Sequence, residues 1–242
     1  MKIGILAAMR FEARTLTRAG IKRGSIVRLE NGNLLIYSGM GSDNASAGAL
    51  KLLQRGCDAL MSWGVAGALS GELRPGDLIL PARVLDDCGK SYACNTGFAD
   101  IFHSPPVNLT SASNAPLIEA LIPVVDPREK ETWGRRTGAV ATDMESAAMA
   151  RAAVQFGVPL YVVRVIIDEV RIRLPASFHT IQKHWMVRTW ARFGWDLLMH
   201  PRYWPSLLRL VPALRAAKKT LKIAARRLDK ISMDPDFGHL QS

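Results

Sequence analysis

Leu160-Tyr161-Val162-Val163-Arg164-Val165-Ile166-Ile167 is a nearly unbroken apolar run, and Asp168 closes it. A run of that length, rich in β-branched residues, is expected of a strand covered on both faces, as in parallel sheets flanked by helices. Working outward from this strand, placed at Pro159–Ile167, the pattern predicts further strands at Lys2–Ala8, Leu34–Gly39, Ala59–Gly64 and Asp77–Leu85. Helical spacing appears at Asn44–Gln54, Pro116–Leu121, Pro127–Arg136 and Glu145–Phe156. Alternation of this kind predicts an α/β fold with a mostly parallel central sheet.

The chain has 242 residues, enough for one α/β domain with an appendage. No segment reaches the roughly 18 apolar residues that span a bilayer. The N-terminal run Met1–Met9 meets Arg10, Glu12 and Arg14 at once, so it is read as a buried strand and not a signal peptide. A cytoplasmic chain is expected. Three cysteines without CxxC spacing argue against a disulfide framework or a zinc site.

The net charge of +11 is unevenly placed: residues 171–242 carry 14 Lys/Arg against 4 Asp/Glu. The basic character therefore belongs to the tail. The expected organisation is an α/β domain over residues 1–198 and a basic amphipathic extension over residues 199–242. In the extension, Leu214, Ala217, Leu221, Ala224, Ala225 and Leu228 recur at helical spacing, with Arg215, Lys218, Lys219, Lys222, Arg226 and Arg227 between them. Trp185, Trp190, Trp195, Tyr203 and Trp204 precede or accompany them. A basic amphipathic helix near tryptophans suits an anionic membrane surface, with Trp204, Arg215, Lys218, Lys219 and Lys222 facing it. A helix packed on the domain with a solvated basic face is the competing reading. Nucleic acid is not expected, since no recognised nucleic-acid motif accompanies the charge.

Ligands of open α/β sheets bind beyond the C-terminal strand ends. Glu12, Ser38–Asn44, Gly64-Val65-Ala66-Gly67, Asp143-Met144-Glu145 and Asp168 all fall at such ends. Small residues there let a ligand approach the backbone. Ser42-Asp43-Asn44 is placed to cap the following helix. Gly39-Met40-Gly41 lacks the Gly-Lys-Ser/Thr of a P-loop, and no dinucleotide fingerprint is present. Locally, Asp168 reads equally as a cap or a site residue. Glu145 reads as a favourable carboxylate in a first helical turn.

Three ordered blocks then resemble the nucleoside phosphorylase and methylthioadenosine/S-adenosylhomocysteine nucleosidase superfamily. They are Ile3–Glu12, Ser38–Gly41 through Trp63–Leu69 to Gly76-Asp77, and Thr142–Ala148 followed by Val163–Asp168. The stretches Arg136–Ser146 and His200–Leu210 resemble the hopanoid-associated branch of that superfamily. The resemblance implies a three-layer fold with a mixed, mostly parallel sheet, plus a basic C-terminal helical extension. It implies an enzyme that cleaves the N-glycosidic bond of an adenine nucleoside, and in that branch one that releases adenine from adenosylhopane. Met144 and Glu145 would line the ribose, Asp168 would donate a proton toward purine N7, and Glu12 would position the attacking water. Gly64, Val65, Ala66, Gly67, Asp143 and Ile167 would surround base and sugar. Arg10 and Gly41 are candidates for phosphate, should phosphate be the co-substrate. No metal or other cofactor is implied, and a homodimer is. The chain departs from soluble nucleosidases at Ile167, where they carry Ser, and at Val65, where a Ser is also expected. A second acid expected after Asp168 is missing, and the stretch from Leu85 to Gly138 is shorter. A soluble nucleosidase or purine nucleoside phosphorylase, and a non-catalytic nucleoside- or lipid-binding protein, stand as alternatives.

Overall fold

A computed structural model describes residues 1–102, 105, 107–110, 114–173 and 204–231, with the backbone alone at 204–209 and 230–231. The domain boundary expected between residues 198 and 199, and Trp185, Trp190, Trp195 and Tyr203, lie outside the described residues.

The chain builds one mixed sheet. β1 (Ile3–Ala7) is followed by α1 (Arg10–Leu16), β2 (Ile26–Arg28), β3 (Leu34–Tyr37) and α2 (Ser42–Gln54). Then come β4 (Ala59–Ala68), β5 (Leu78–Ile79), β6 (Arg83–Leu85), β7 (Ser91–Ala93) and β8 (Leu117–Glu119). α3 (Pro127–Thr137), β9 (Ala141–Asp143), α4 (Ser146–Phe156), β10 (Leu160–Asp168) and α5 (Trp204–Ile231) complete it. The path runs β2-β3-β1-β4-β9-β8-β6-β7, and β10 lies against β4 and β5. The long pairings of β1 with β3, β1 with β4 and β10 with β4 are parallel. Their C-terminal ends therefore open on one rim. β9 reaches that rim from the other side, pairing antiparallel with β4 at Gly67 and Ala68.

Two apolar layers cover the sheet. α2 and α4 pack on one face through Ala45, Ala49, Leu52, Ala147, Ala148 and Ala152. α1 and α5 cover the other, where Ala217, Leu221, Ala224, Ala225 and Leu228 join Ile5, Met61, Trp63 and Val163 in a single cluster. The described part of the expected extension, α5, thus packs on the sheet as a third-layer element. Thr220 Oγ1 donates to the Gly76 carbonyl at 2.9 Å, and Arg227 donates to the carbonyls of Ile101 and Pro105 at 3.1 and 2.8 Å. No described helix is long and apolar enough to cross a membrane.

Three expectations need correction. Pro116–Leu121 is not a helix; its centre is β8, wedged between β6 and β9. A run this short is helix or strand according to which neighbours it finds. The strand expected at Asp77–Leu85 breaks at Pro81, which has no N–H for a ladder, and its halves serve different neighbours: β5 pairs β10 and β6 pairs β7 and β8. Ser42-Asp43-Asn44 caps nothing. The N-cap of α2 is Gly41, with no side-chain cap bond, and Asn44 Nδ2 donates back to the Met40 carbonyl at 2.6 Å.

Candidate active site

The rim where β1, β4, β9 and β10 end holds a cavity of about 430 Å³. Its walls include Met9, Arg10, Phe11, Glu12, Met40, Val65, Ala66, Gly67, Thr142, Asp143, Met144, Glu145, Ile167 and Asp168. The structure thus brings together residues from separate blocks of sequence. It adds a wall that motif reading did not supply: Ala120, Pro123 and Val124 before α3, and Leu210 and Leu214 from α5.

Glu12 and Asp168 reach this cavity because β4 carries glycine where each carboxylate lies. A Cβ on Gly64 would come within 2.5 Å of Glu12 Oε1, and one on Gly67 within 2.9 Å of Asp168 Oδ1. Both distances fall below van der Waals contact, so any larger residue displaces the acid. β4 runs four residues past its expected end at Gly64, and its pairing with β10 shifts register between Ile166 and Asp168, opposite Ala66 and Gly67.

Glu12 is 2% exposed and sits in the first turn of α1. Its Oε2 accepts the Met9 N–H at 2.7 Å and its Oε1 the Val65 N–H at 2.9 Å. Burial pushes its carboxyl up to about 7, against the lowering influence of Arg164 and of backbone N–H donors. A carboxyl poised there exchanges a proton near neutrality, the range in which general bases work well.

Glu145 is the N-cap residue of α4. Its Oε1 accepts the Gly41 N–H at 2.8 Å. Gly41 has φ 95°, a conformation that L side chains rarely adopt, so glycine is what turns this N–H toward Glu145. Burial, reinforced by the Asp143 charge, pushes the Glu145 carboxyl above the usual carboxylate range.

Asp143 lines the cavity, but its carboxylate is spent on the scaffold. Arg164 Nε and Nη2 approach its Oδ2 at 2.8 and 2.7 Å, and Ser146 Oγ donates to the same atom. Its Oδ1 accepts the N–H groups of Glu145 and Ser146 at 3.4 and 3.3 Å. Arg164, 2% exposed in the middle of β10, thereby braces the turn that presents Glu145. A charge inside an otherwise apolar strand was the available sign of it.

Asp168 ends β10 and is 3% exposed. Its Oδ2 is ion-paired with Lys130 of α3. Burial pushes the Asp168 carboxyl up, and Lys130 pulls it down. Nothing in the polar pattern of α3 marked Lys130, since a lysine on such a helix is ordinarily solvated. Thr142 was read only as part of a motif. Its Oγ1 is buried on the cavity wall and has no hydrogen-bond partner among the described residues.

Arg10 is exposed at the cavity edge. Arg215, Lys218, Lys219 and Lys222 are exposed on α5, while the apolar stripe behind them is buried in the domain. Trp204 begins α5, and its side chain lies outside the described residues. Among the described residues the one metal-ligand grouping is Asp86, Asp87 and Cys88, in the β6–β7 turn and away from the cavity.

The family profile described as Phosphorylase superfamily matches residues 2–194. A 5'-methylthioadenosine/S-adenosylhomocysteine nucleosidase of Geobacillus thermodenitrificans is 27% identical over 218 residues, covering 76% of this chain and 92% of that protein. Among solved structures, the S-adenosylhomocysteine nucleosidase of Streptococcus pyogenes in complex with 5-methylthiotubericidin superposes with a TM-score of 0.67 at 19% identity, over 96% of this chain and 97% of that one. The futalosine hydrolase of Helicobacter pylori gives 0.66 at 18%, over 95% and 96%.

Proposed function

The chain belongs to the phosphorylase superfamily, and from that premise we propose that it cleaves the N-glycosidic bond of an adenine nucleoside whose sugar carries a bulky apolar group. Adenosylhopane is the substrate we assign, with adenine and a ribosyl-hopane as products. The observation that carries the bond-cleavage reading is the convergence of Glu12, Glu145 and Asp168 on one buried cavity at the strand ends. Breaking the bond needs a proton on the departing purine and stabilisation of an oxocarbenium-like sugar, as in glycoside hydrolysis. Asp168 delivers the proton toward N7, Glu145 holds the ribose hydroxyls beside Met144, and Glu12 takes a proton from the attacking water. The apolar wall of Val65, Ala66 and Ile167 receives the base. None of these steps asks for a metal or a redox group.

Water is a better nucleophile for this site than phosphate. The Gly41 N–H already serves Glu145, Arg10 is exposed at the edge, and the buried Glu12 carboxylate repels an anion. The apolar substituent is supported by the mouth of the cavity. Leu210 and Leu214 line the cavity, and Leu121, Ile122 and Val211, which adjoin lining residues in sequence, are 54%, 53% and 51% exposed. The exposed cations of α5 suit an anionic membrane surface from which such a substrate is drawn, and we read the enzyme as acting at the cytoplasmic face of that membrane, as the homodimer that the family resemblance implies. With the apolar stripe of α5 buried, that attachment is electrostatic and weakens with salt.

Purified protein with adenosylhopane in detergent should release adenine without added phosphate. Asp168→Asn should lower the rate by about 10²–10⁴-fold, the usual worth of a general acid. Release that depends strictly on phosphate overturns hydrolysis. Efficient turnover of methylthioadenosine with none of adenosylhopane favours the soluble nucleosidase reading, which the similarity to the Geobacillus protein supports. Tight binding without turnover leaves a binding protein. Co-sedimentation with anionic liposomes at low salt tests the attachment.

A further inference from the structure

The proposed acid, Asp168, is touched by a side chain that is itself a proton donor. α3 is a polar helix, and the one residue it buries is Lys130. The Lys130 side chain is 1% exposed and that of Asp168 4%, and the two form an ion pair. Nζ also donates to the Glu169 carbonyl at 3.3 Å. Removing two charges from water is costly, and their mutual attraction recovers only part of that cost. A structural role at this place is met more cheaply by an apolar residue.

The position of the pair gives it another use. Asp168 Oδ1 lies against Gly67 on the cavity wall, while Oδ2 is turned to Lys130. With one proton between them, the two groups carry no net charge whether it sits on Nζ or on Oδ2. Adding a second proton, or removing the last, leaves a buried charge uncompensated.

We propose that Lys130 is the proton reservoir of Asp168, so that the general acid is the Lys130–Asp168 pair; the inference rests on the nucleosidase reading above. As the bond from C1' to the purine breaks, its electron pair passes to the base. The Asp168 carboxyl receives from Nζ the proton it gives to N7. Water forms the new bond to C1' and yields its proton to Glu12. Adenine leaves neutral, the lysine is left as an amine, and Glu12 is protonated. Proton return from Glu12 to Lys130 through solvent resets the site.

The test compares kcat against pH for wild type, Lys130→Met and Lys130→Arg, with circular dichroism confirming the fold. Lys130→Met leaves a lone buried carboxyl that is protonated at low pH. Its kcat should approach wild type there and fall about tenfold per pH unit above that carboxyl's own titration, so the alkaline limb moves down by a unit or more. Arg keeps the charge but does not surrender a proton, so Lys130→Arg should lose about 10²–10⁴-fold at every pH. A lysine that merely braces Asp168 predicts the reverse order, with Arg the better replacement and the alkaline limb of the Met variant moved up, because the cation that pulls the carboxyl down is gone. That result overturns the proposal while the nucleosidase reading stands. A wild type that releases no adenine from any adenine nucleoside sinks the reading instead.

Discussion

Replacing Glu12 with Gln should make the protein more stable at alkaline pH than at acid pH, relative to wild type. Burial raises the Glu12 carboxyl from 4.5 to about 7. The folded state therefore holds a proton that the unfolded state has released between those values, and stability falls as pH rises through that window. Integrated from pH 5 to pH 8, the loss is about 2.5 kcal/mol. Glutamine has the shape but no titration. Its oxygen still accepts from the Val65 N–H, while its NH₂ faces the Met9 N–H, donor to donor. That mismatch costs about 1–3 kcal/mol at every pH and so drops out of the comparison. Thermal melts of both proteins at pH 5 and pH 8 check this. The difference in Tm between variant and wild type should move in favour of the variant by about 5–10 °C, given about 2–4 °C per kcal/mol for a chain of this size. In the same protein, the acid limb of kcat near pH 7 should vanish with the activity, because the base must be ionised to accept a proton. A Tm difference that does not change with pH would refute the raised carboxyl and the base assignment built on it.

Three further outcomes follow from the same geometry. Gly67→Ala places a Cβ 2.9 Å from Asp168 Oδ1. It should lower kcat by about tenfold or more through misplacement of the acid, with KM little changed, in the adenine-release assay. Thr142→Val removes a buried hydroxyl that lacks a partner among the described residues. Melts should show no loss of stability, while KM for the nucleoside rises by about tenfold, the worth of one hydrogen bond; an unchanged KM removes Thr142 from the substrate. Leu221→Ala deletes a fully buried side chain of α5 and should cost about 2–5 kcal/mol in urea unfolding. A cost near zero would mean that α5 is an appendage after all.

The alternation of strand and helix was legible because an amphipathic or fully apolar run records its own period. β1, β3, β4, β10, α2, α3 and α4 all appear close to where spacing put them. β2, β7, β8 and β9 are three residues each. At that length, pairing partners decide the state and the chain itself carries no period to detect. The basic stripe of α5 was visible, yet its destination was not. The spacing of Leu221, Ala224 and Leu228 serves a membrane or a protein core equally well, and in the structure the core takes it.

The carboxylates divide the same way. Glu12, Glu145 and Asp168 were each marked as candidates by their place at a strand end or a helix start. What the sequence by itself determined is that short α/β units exist and that acids stand at their ends, because periodicity and end position are local properties. Tertiary structure alone decided which acids share a cavity and what each one touches. Arg164 takes up the Asp143 carboxylate, Lys130 meets Asp168, and glycines 64 and 67 make room for Glu12 and Asp168. Those partners lie 21 to 101 residues apart in the chain. Burial and charge pairing act through space, so the titration of each acid belongs to the folded rim and to no segment of it.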